Sequence, residues 1–267
     1  MRFTVIGSSG FIGSALMQYL MQHNHEVLEI HRGNLNFLDH DIDLGHVIYC
    51  FGLTGDFRVK PFDTVNAHVC ILANLLRVKK FDSWLYLSST RIYSGIDNIA
   101  KESARLPVFP DSDGIYDISK LLGESLCLSL KNEKIRVARL SNVYGVGQST
   151  NTFLGSIIDD VKSGHPIIIN ESPDSRKDYI SIEDVIDILV RLAIEGKHRL
   201  YNVAAGVAIS HAEVAKVIEE VSHSSVSFKS GAQKRIFPDI DISKIKQEFD
   251  FRPRLLLDDL SILLNSD

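Results

Sequence analysis

The sequence predicts an α/β protein, a doubly wound parallel sheet with a smaller C-terminal substrate-binding lobe, and three observations predict it. Strand-like and helix-like segments alternate through the first half of the chain, the signature of parallel strands joined by crossovers. The first strand runs into a glycine-rich turn, Gly7-Ser8-Ser9-Gly10-Phe11-Ile12-Gly13, that opens a helix. The second half is irregular, as expected of a lobe covering the carboxyl ends of the strands. The boundaries expected are 1–147, with 180–205 returning to it, for a dinucleotide-binding domain. The lobe takes 148–179 and 206–267.

Phe3, Val5 and Ile6 are apolar or β-branched and read as a short strand buried on both faces. Phe11–Met21 reads as the following helix. The turn's backbone N–H groups and the helix N-terminus point at whatever anion sits there. The spacing is G-x-x-G-x-x-G: Gly7 allows the tight turn, Gly10 the approach of a pyrophosphate, and Gly13 close helix-on-strand packing. Glu26–His31 is the second strand, and Arg32 follows it where the adenosine ribose of a dinucleotide would lie. A carboxylate there favours NAD; His31 and Arg32 favour the 2′-phosphate of NADP(H), with NAD as the alternative.

Leu35–Asp43 is too short for a full crossover helix and reads as a loop or a single turn before the third strand, His46–Phe51. Residues 52–61 read as a loop. Val65–Lys79 is a helix with Val65, Val69, Leu72 and Leu76 on one face, and Trp84–Ser88 is a strand ending in Ser88, Ser89 and Thr90. Residues 99–114 form a polar, proline-bearing loop, 115–132 a long helix, 136–140 a strand and 141–148 a loop off its end. Helices follow at 152–162, 182–195 (capped by Ser181) and 212–221 (capped by Ser210), with strands at 166–169 and 199–203, and the segments 242–249 and 257–264 close the chain.

The chain has 267 residues, 45% of them hydrophobic and 24% charged, enough for a sizeable core, and a formal net charge of −5. No basic run argues for nucleic acid or an anionic membrane as partner. Cys50, Cys70 and Cys127 are far apart, so no disulfide framework or zinc site is signalled, and a reducing compartment fits. The ten histidines show no metal-ligand spacing. A strand at the very start leaves no room for a signal peptide, and no apolar run approaches the ~18 residues a membrane span needs. A soluble cytoplasmic protein is expected.

Tyr116 and Lys120 lie four apart on one helix and project from the same face. A phenol with a pKa near 10 is a poor acid–base group at neutral pH; a neighbouring ammonium and the positive charge of an oxidised nicotinamide favour its phenolate. Ser89 ends a strand where its hydroxyl can hydrogen-bond the oxygen that gains or loses the proton. The three make a proton-transfer site for alcohol–carbonyl interconversion with a nicotinamide cofactor.

With these residues in view, the chain resembles an extended short-chain dehydrogenase/reductase of the NAD-dependent epimerase/dehydratase family, the sugar-nucleotide-modifying group with a Rossmann fold. The resemblance rests on GSSGFIG (7–13), VNAHVCILANLL (65–76), LSSTRIYSG (87–95), YDISKLLGE (116–124), ARLSNVYGVG (138–147), RKDYISIEDV (176–185), YNVAAG (201–206) and ISKIKQEFDFRP (242–253). It implies Ser89, Tyr116 and Lys120 as catalytic residues. It implies cofactor contacts from Gly7, Ser9, Gly10, Phe11, Ile12, Gly13, His31, Arg32, Phe51 and Gly52, besides Tyr116 and Lys120. Substrate contacts are implied for Ser89, Thr90, Asn142, Lys177 (with Arg176 beside it) and Arg235; a loop-capping role is the alternative for Asn142, and a brace for the active-site helix is that for Asn66. No metal is implied. The family commonly pairs its 65–79 and 115–132 helices across a homodimer, and Leu122, Leu126 and Leu130 recur at four-residue spacing.

Two departures narrow the chemistry. The second crossover is shortened. Thr90 and Arg91 stand where the family's dehydratases place an Asp-Glu pair, and Arg91 where members resembling GDP-fucose synthase place a cysteine. What remains is hydride and one proton: an NADPH-dependent 4-keto reductase of a nucleotide-linked sugar is the leading reading. An NAD-dependent nucleotide-sugar 4-epimerase is the alternative, and a dinucleotide-binding regulatory protein without turnover is the alternative outside the enzymes.

Overall fold

The computed structural model describes residues 1–53, 55, 57–235 and 237–266. Its backbone falls into two units, one made of Met1–Ile92, Val108–Leu140 and Val185–Tyr201, the other of Tyr93–Pro107, Ser141–Asp184 and Asn202–Asp267. The segment 93–107, expected in the first domain, groups with the second unit, as do 141–147.

In the first unit, β1 (Arg2–Ile6), β2 (Glu26–Ile30), β3 (His46–Tyr49), β4 (Ser83–Ser89) and β5 (Ile135–Leu140) pair in parallel. The sheet order is β2-β1-β3-β4-β5, followed by the strand Leu200–Val203. This is the expected doubly wound sheet. Phe3, Val5, Ile6, Val47, Ile48, Trp84, Leu85 and Val137 have no exposed surface, because central parallel strands are covered on both faces. The crossover from β1 is α1 (Phe11–Gln22). The crossover from β2 has no α-helix: a 3₁₀ stretch, Arg32–Asp39, takes its place.

The helical run after β3 starts earlier than its apolar pattern indicated. Pro61 at the first position opens α2 (Pro61–Val65), a π-helical turn spans Asn66–Cys70, and α3 (Ile71–Val78) continues it. The wide turn has local partners: the Tyr49 hydroxyl donates to the Ala67 carbonyl at 2.6 Å and the Tyr86 hydroxyl to the His68 carbonyl at 3.3 Å. Asn66 is exposed.

The helix α4 (Gly114–Ser129) is drawn tightly onto β4. A Cβ at Gly123 would lie 2.4 Å from the Tyr86 hydroxyl, so only glycine permits this approach. One residue on, the buried Glu124 carboxylate accepts a fork of hydrogen bonds from Arg139 on β5, at 2.9 and 2.6 Å. These two contacts fix the height and rotation of the helix that carries Tyr116 and Lys120.

The second unit holds a three-stranded sheet, with Arg176–Ser181 in the middle, antiparallel to Ala208–Ser210 and parallel to Asn142–Tyr144. The residues after β5, expected as loop, therefore contain a strand. A parallel pair joins Ile167–Ile169 to Val226–Phe228. Helices Phe153–Ser163, His211–Ser222 and Leu256–Asn265 bury Leu154, Ile157, Ile218, Leu256 and Leu260 against this framework. Thr152 and Ser210 cap the first two, the latter through a full capping box with Glu213. Ser181 caps Ile182–Glu195 by accepting from the Asp184 N–H at 3.1 Å. Among the described residues no helix is long and apolar enough to cross a membrane.

Candidate active site

The glycine turn has the geometry its spacing predicts. Gly7 has φ +98°, and a Cβ there would meet the backbone of Cys50 and Phe51 at 2.9 Å; a Cβ on Gly13 would fall 2.1 Å from the Gly7 carbonyl oxygen. Both positions need glycine for internal reasons. Gly10 does not: its φ of −82° is ordinary, and an added Cβ would meet only the Gly7 oxygen, at 3.5 Å. Gly10 is also the N-cap of α1 and offers no side chain to the first N–H groups of the helix. A turn that keeps a small residue with no internal need for it, next to an uncapped helix N-terminus, fits a dinucleotide pyrophosphate. Ser9 is exposed and Phe11 and Ile12 half-buried in the same turn, while Phe51 is buried and Gly52 exposed just past β3.

At the end of β2, His31 closes a capping box. Its Nδ1 accepts from the Gly33 N–H at 3.0 Å, and its own N–H donates to Asn34 Oδ1 at 2.7 Å. The ring thus shapes the start of the 3₁₀ stretch and leaves Arg32 exposed beside the strand end.

Tyr116 sits in the first turn of α4, buried to 7% exposure. A Cβ at Gly114 would lie 1.8 Å from the Phe109 carbonyl oxygen, and the Gly114 N–H donates to Asp111 Oδ1 at 2.6 Å, so the entry into the helix is held tightly. Burial raises the Tyr116 pKa; a hydrogen bond with Ser89 and the Arg91 guanidinium pull the other way. The Ser89 hydroxyl thus acts on the Tyr116 phenol. Thr90 is buried immediately after it.

Lys120 Nζ donates to the Leu87 carbonyl at 2.8 Å and stands 5.9 Å from the centroid of the Tyr116 ring. Burial pushes its ammonium down to about 8. A second cation stands at the phenol: the Arg91 guanidinium lies 5.6 Å from the same centroid and lowers the Tyr116 pKa.

Two further residues escaped the sequence pattern. His68, on the π turn, is fully buried with Nδ1 2.8 Å from Ser119 Oγ, and its ring meets Tyr116 edge-on at 5.3 Å. Burial, aided by the Lys120 charge, pushes it down to about 2, so it is a neutral imidazole. Phe57 packs against Tyr116 at 5.3 Å from the loop before α2. The signal for His68 was its place four residues before Leu72 on the buried helix face; Phe57 has none, standing in a loop next to residues that lie outside those described.

In the second unit, Lys177 is half-buried and pairs with Glu171 at 3.0 Å, its ammonium 4.8 Å over the Phe153 ring. The other face of this cluster is His211, fully buried and stacked on Phe153 at 3.9 Å. Burial lowers the Lys177 pKa and pushes His211 down to about 4. Both His211 ring nitrogens, Glu171 Oε2 and the Tyr179 hydroxyl lack a hydrogen-bond partner in the protein. Arg235 is exposed, its carbonyl accepting from the Arg176 N–H at 3.0 Å, and its charge reaches Lys177. Asn142 uses its amide on structure: Nδ2 donates to the Asp178 carbonyl at 2.8 Å. Asp178 in turn accepts from the N–H groups of Ala205, Gly206 and Val207.

Comparison with known proteins agrees with this architecture. The profile of the NAD-dependent epimerase/dehydratase family matches residues 3–204. The chain belongs to that family. Among curated members, UDP-glucuronic acid decarboxylase 1 of Arabidopsis thaliana is 22% identical, over 96% of this chain and 67% of its own. The dTDP-4-dehydro-6-deoxy-D-allose reductase of Streptomyces bikiniensis is 22% identical over 94% of this chain and 91% of its own. Among solved structures, UDP-glucuronic acid 4-epimerase from Bacillus cereus, in complex with UDP-glucuronic acid and NAD, superposes with TM-score 0.78 at 22% identity, covering 97% and 96%. RMD from Pseudomonas aeruginosa, complexed with NADPH, gives 0.81 at 23%, covering 98% and 97%. At such identities the structures establish the Rossmann-type fold of this family member, and its individual reaction has to be argued from its own residues.

Proposed function

We propose that this family member is an NADP(H)-dependent reductase of a nucleotide-linked 4-keto sugar. The observation that carries it is a buried phenol, Tyr116, in the first turn of α4, whose pKa burial raises and the Ser89 hydroxyl lowers. A protonated phenol is the form that delivers a proton to a carbonyl oxygen under reduction. When bound, the nicotinamide supplies hydride to the carbonyl carbon. Tyr116 donates its proton to the developing alkoxide, and Ser89 hydrogen-bonds that oxygen. Lys120, anchored on the Leu87 carbonyl, holds the cofactor's nicotinamide ribose. The glycine turn takes the pyrophosphate, and Arg32 pairs with the 2′-phosphate by charge-assisted hydrogen bonds. Lys177 and Arg235 serve the substrate diphosphate. The Asp-Glu pair that would eliminate water from the sugar is replaced by Thr90 and Arg91, which leaves 4-keto reduction or C4 epimerisation, of which we propose reduction.

The 4-epimerase reading is favoured by one observation. Ser89, Tyr116 and Lys120 are as competent to take a proton from a C4 hydroxyl as to give one, and the Bacillus cereus neighbour is a 4-epimerase. Turnover separates the two. Purified protein given NADPH and a UDP- or dTDP-4-keto sugar should consume NADPH mole for mole. Interconversion of C4 epimers with no net change in NADPH would establish the epimerase instead.

A further inference from the structure

Arg91 occupies the position where the dehydratase carboxylate is missing, and its surroundings give it work. Its guanidinium rests 4.9 Å over the Phe57 ring and 5.6 Å over the Tyr116 ring, with 30% of the side chain exposed. Nε lies 3.2 Å from Asp117 Oδ1, and NH2 lies 4.0 Å from Asp113 Oδ2. Arg58 backs the arrangement: it too sits on Phe57, at 4.4 Å, and donates to Asp113 Oδ2 at 3.0 Å. Phe57 and Tyr116 are 5.3 Å apart. Two arginines and two carboxylates therefore clamp a pair of aromatic rings, one of which carries the reacting hydroxyl. The Arg91 backbone joins in, since its N–H donates to Ser89 Oγ at 3.2 Å.

We propose that Arg91 is a positioning residue that holds the Tyr116 ring and supplies a cation, beside that of Lys120, that stabilises its phenolate. A guanidinium over an electron-rich ring is attracted to its face, and the attraction grows when the ring becomes anionic. The same guanidinium keeps its charge at every pH at which the phenol titrates, which an ammonium does not. Of the other groups around Tyr116, Lys120 adds an ammonium 5.9 Å from the ring centroid while donating to the Leu87 carbonyl, His68 is neutral, the buried Tyr86 phenol is uncharged, and Asp117 opposes the phenolate. Asp117 and Asp113 thus have a second effect: they temper Arg91 as well as aim it. The arrangement keeps the phenol an acid at neutral pH while making it a better one than burial alone would allow.

The inference rests on Tyr116 being the acid–base residue, but its test does not need turnover. Tyrosinate absorbance is read immediately after pH jumps in the whole protein. Subtracting the Tyr116→Phe variant isolates the Tyr116 titration. Arg91→Gln, with its own Tyr116→Phe baseline, should raise that midpoint by about one pH unit or more, and Arg91→Lys should restore most of the difference. Asp117→Asn should move it the opposite way, downward. An unchanged midpoint in folded Arg91→Gln, or an upward or null shift in Asp117→Asn, would overturn the proposal. If Arg91→Gln does not fold, Arg91→Met, which keeps an apolar stem over Phe57, replaces it with the same expected rise and the same overturning result. Under turnover, the pH dependence of kcat/KM should follow the same order of midpoints. A phenol that shifts as predicted while Tyr116→Phe remains active would uphold the coupling and reject the proposed reaction.

Discussion

The Tyr116 corner of the first unit and the Lys177 cluster of the second both bury charge against aromatic rings, but they are satisfied to different degrees. Around Tyr116 most groups have a counterpart, Ser89 for the phenol, Leu87 for Lys120, Asp113 and Asp117 for Arg91, while His68 Nε2 and Asp117 Oδ1 have no hydrogen-bond partner. Around Lys177 the charge is met by Glu171, yet both nitrogens of His211, one oxygen of Glu171 and the Tyr179 hydroxyl are left unpaired. Buried polar atoms without partners are costly. A preset corner is what proton transfer needs, because its dipoles must be aimed before reaction. A cluster with spare donors and acceptors is what ligand binding needs, because its partners arrive from outside.

The strongest way to break this contrast is at the phenol. Tyr116→Phe should cost on the order of 10²-fold or more in turnover while leaving cofactor affinity nearly unchanged; near wild-type rates would remove the tyrosine from the mechanism. Arg32→Ala is next. It should weaken NADP(H) by roughly 1.5–3 kcal/mol and leave NAD(H) almost untouched in direct binding measurements. Equal weakening of both, or of neither, would make Arg32 an ordinary surface residue.

Acid sharpens the comparison, since each region buries one neutral histidine. His211 falls from 6.5 to about 4 and His68 from 6.5 to about 2 on folding. Both are protonated in the unfolded chain below pH 6.5 and neutral in the folded one. The stability they contribute is full above pH 6.5 and is lost as pH falls, until about pH 4 for His211 and about pH 2 for His68. Each adds a slope of up to about 1.4 kcal/mol per pH unit in that window. Chemical denaturation at pH 7 and pH 5 should therefore show a loss of stability, of which about 2 kcal/mol disappears in His211→Gln. A loss unchanged in that variant would mean that His211 is charged in the folded state.

The smallest effect concerns self-association. Ile118 and Leu122 on α4 and Phe62 on α2 are exposed, at 37%, 52% and 89%. Leu126 and Leu130, which extend the same sequence stripe, pack on the core of their own unit. The apolar face offered to a second copy is thus shorter than the spacing indicated. A homodimer through these helices should still give a dimer mass by light scattering at micromolar concentration, and Leu122→Glu should shift it toward monomer.

What the sequence made legible follows a physical line. The glycine turn, α4 and its Tyr116-Lys120 pair depend on local rules, namely backbone room at Gly7 and Gly13 and a four-residue helical step. These were readable. The strand 142–144 was not, because three residues cannot show a period and its stability comes from pairing with Tyr179, Ile180 and Ser181. The π turn hid because one extra residue per turn leaves no mark in an apolar pattern; the Tyr49 and Tyr86 hydroxyls that donate to its carbonyls are far away in sequence. Arg91 was visible only as a departure. Its work depends on Phe57 and on Asp113 and Asp117, which tertiary packing brings to it.

The central claim is that the protein adds hydride to C4 of a nucleotide-linked keto sugar and releases the alcohol. NADPH carrying deuterium at its transferable position, supplied with a UDP- or dTDP-4-keto sugar, tests it most directly. One deuterium at C4 of the product is expected for each NADPH oxidised, and none with Tyr116→Phe. Product formed with no deuterium at C4, or C4 epimers exchanging while the cofactor keeps its label, would contradict it.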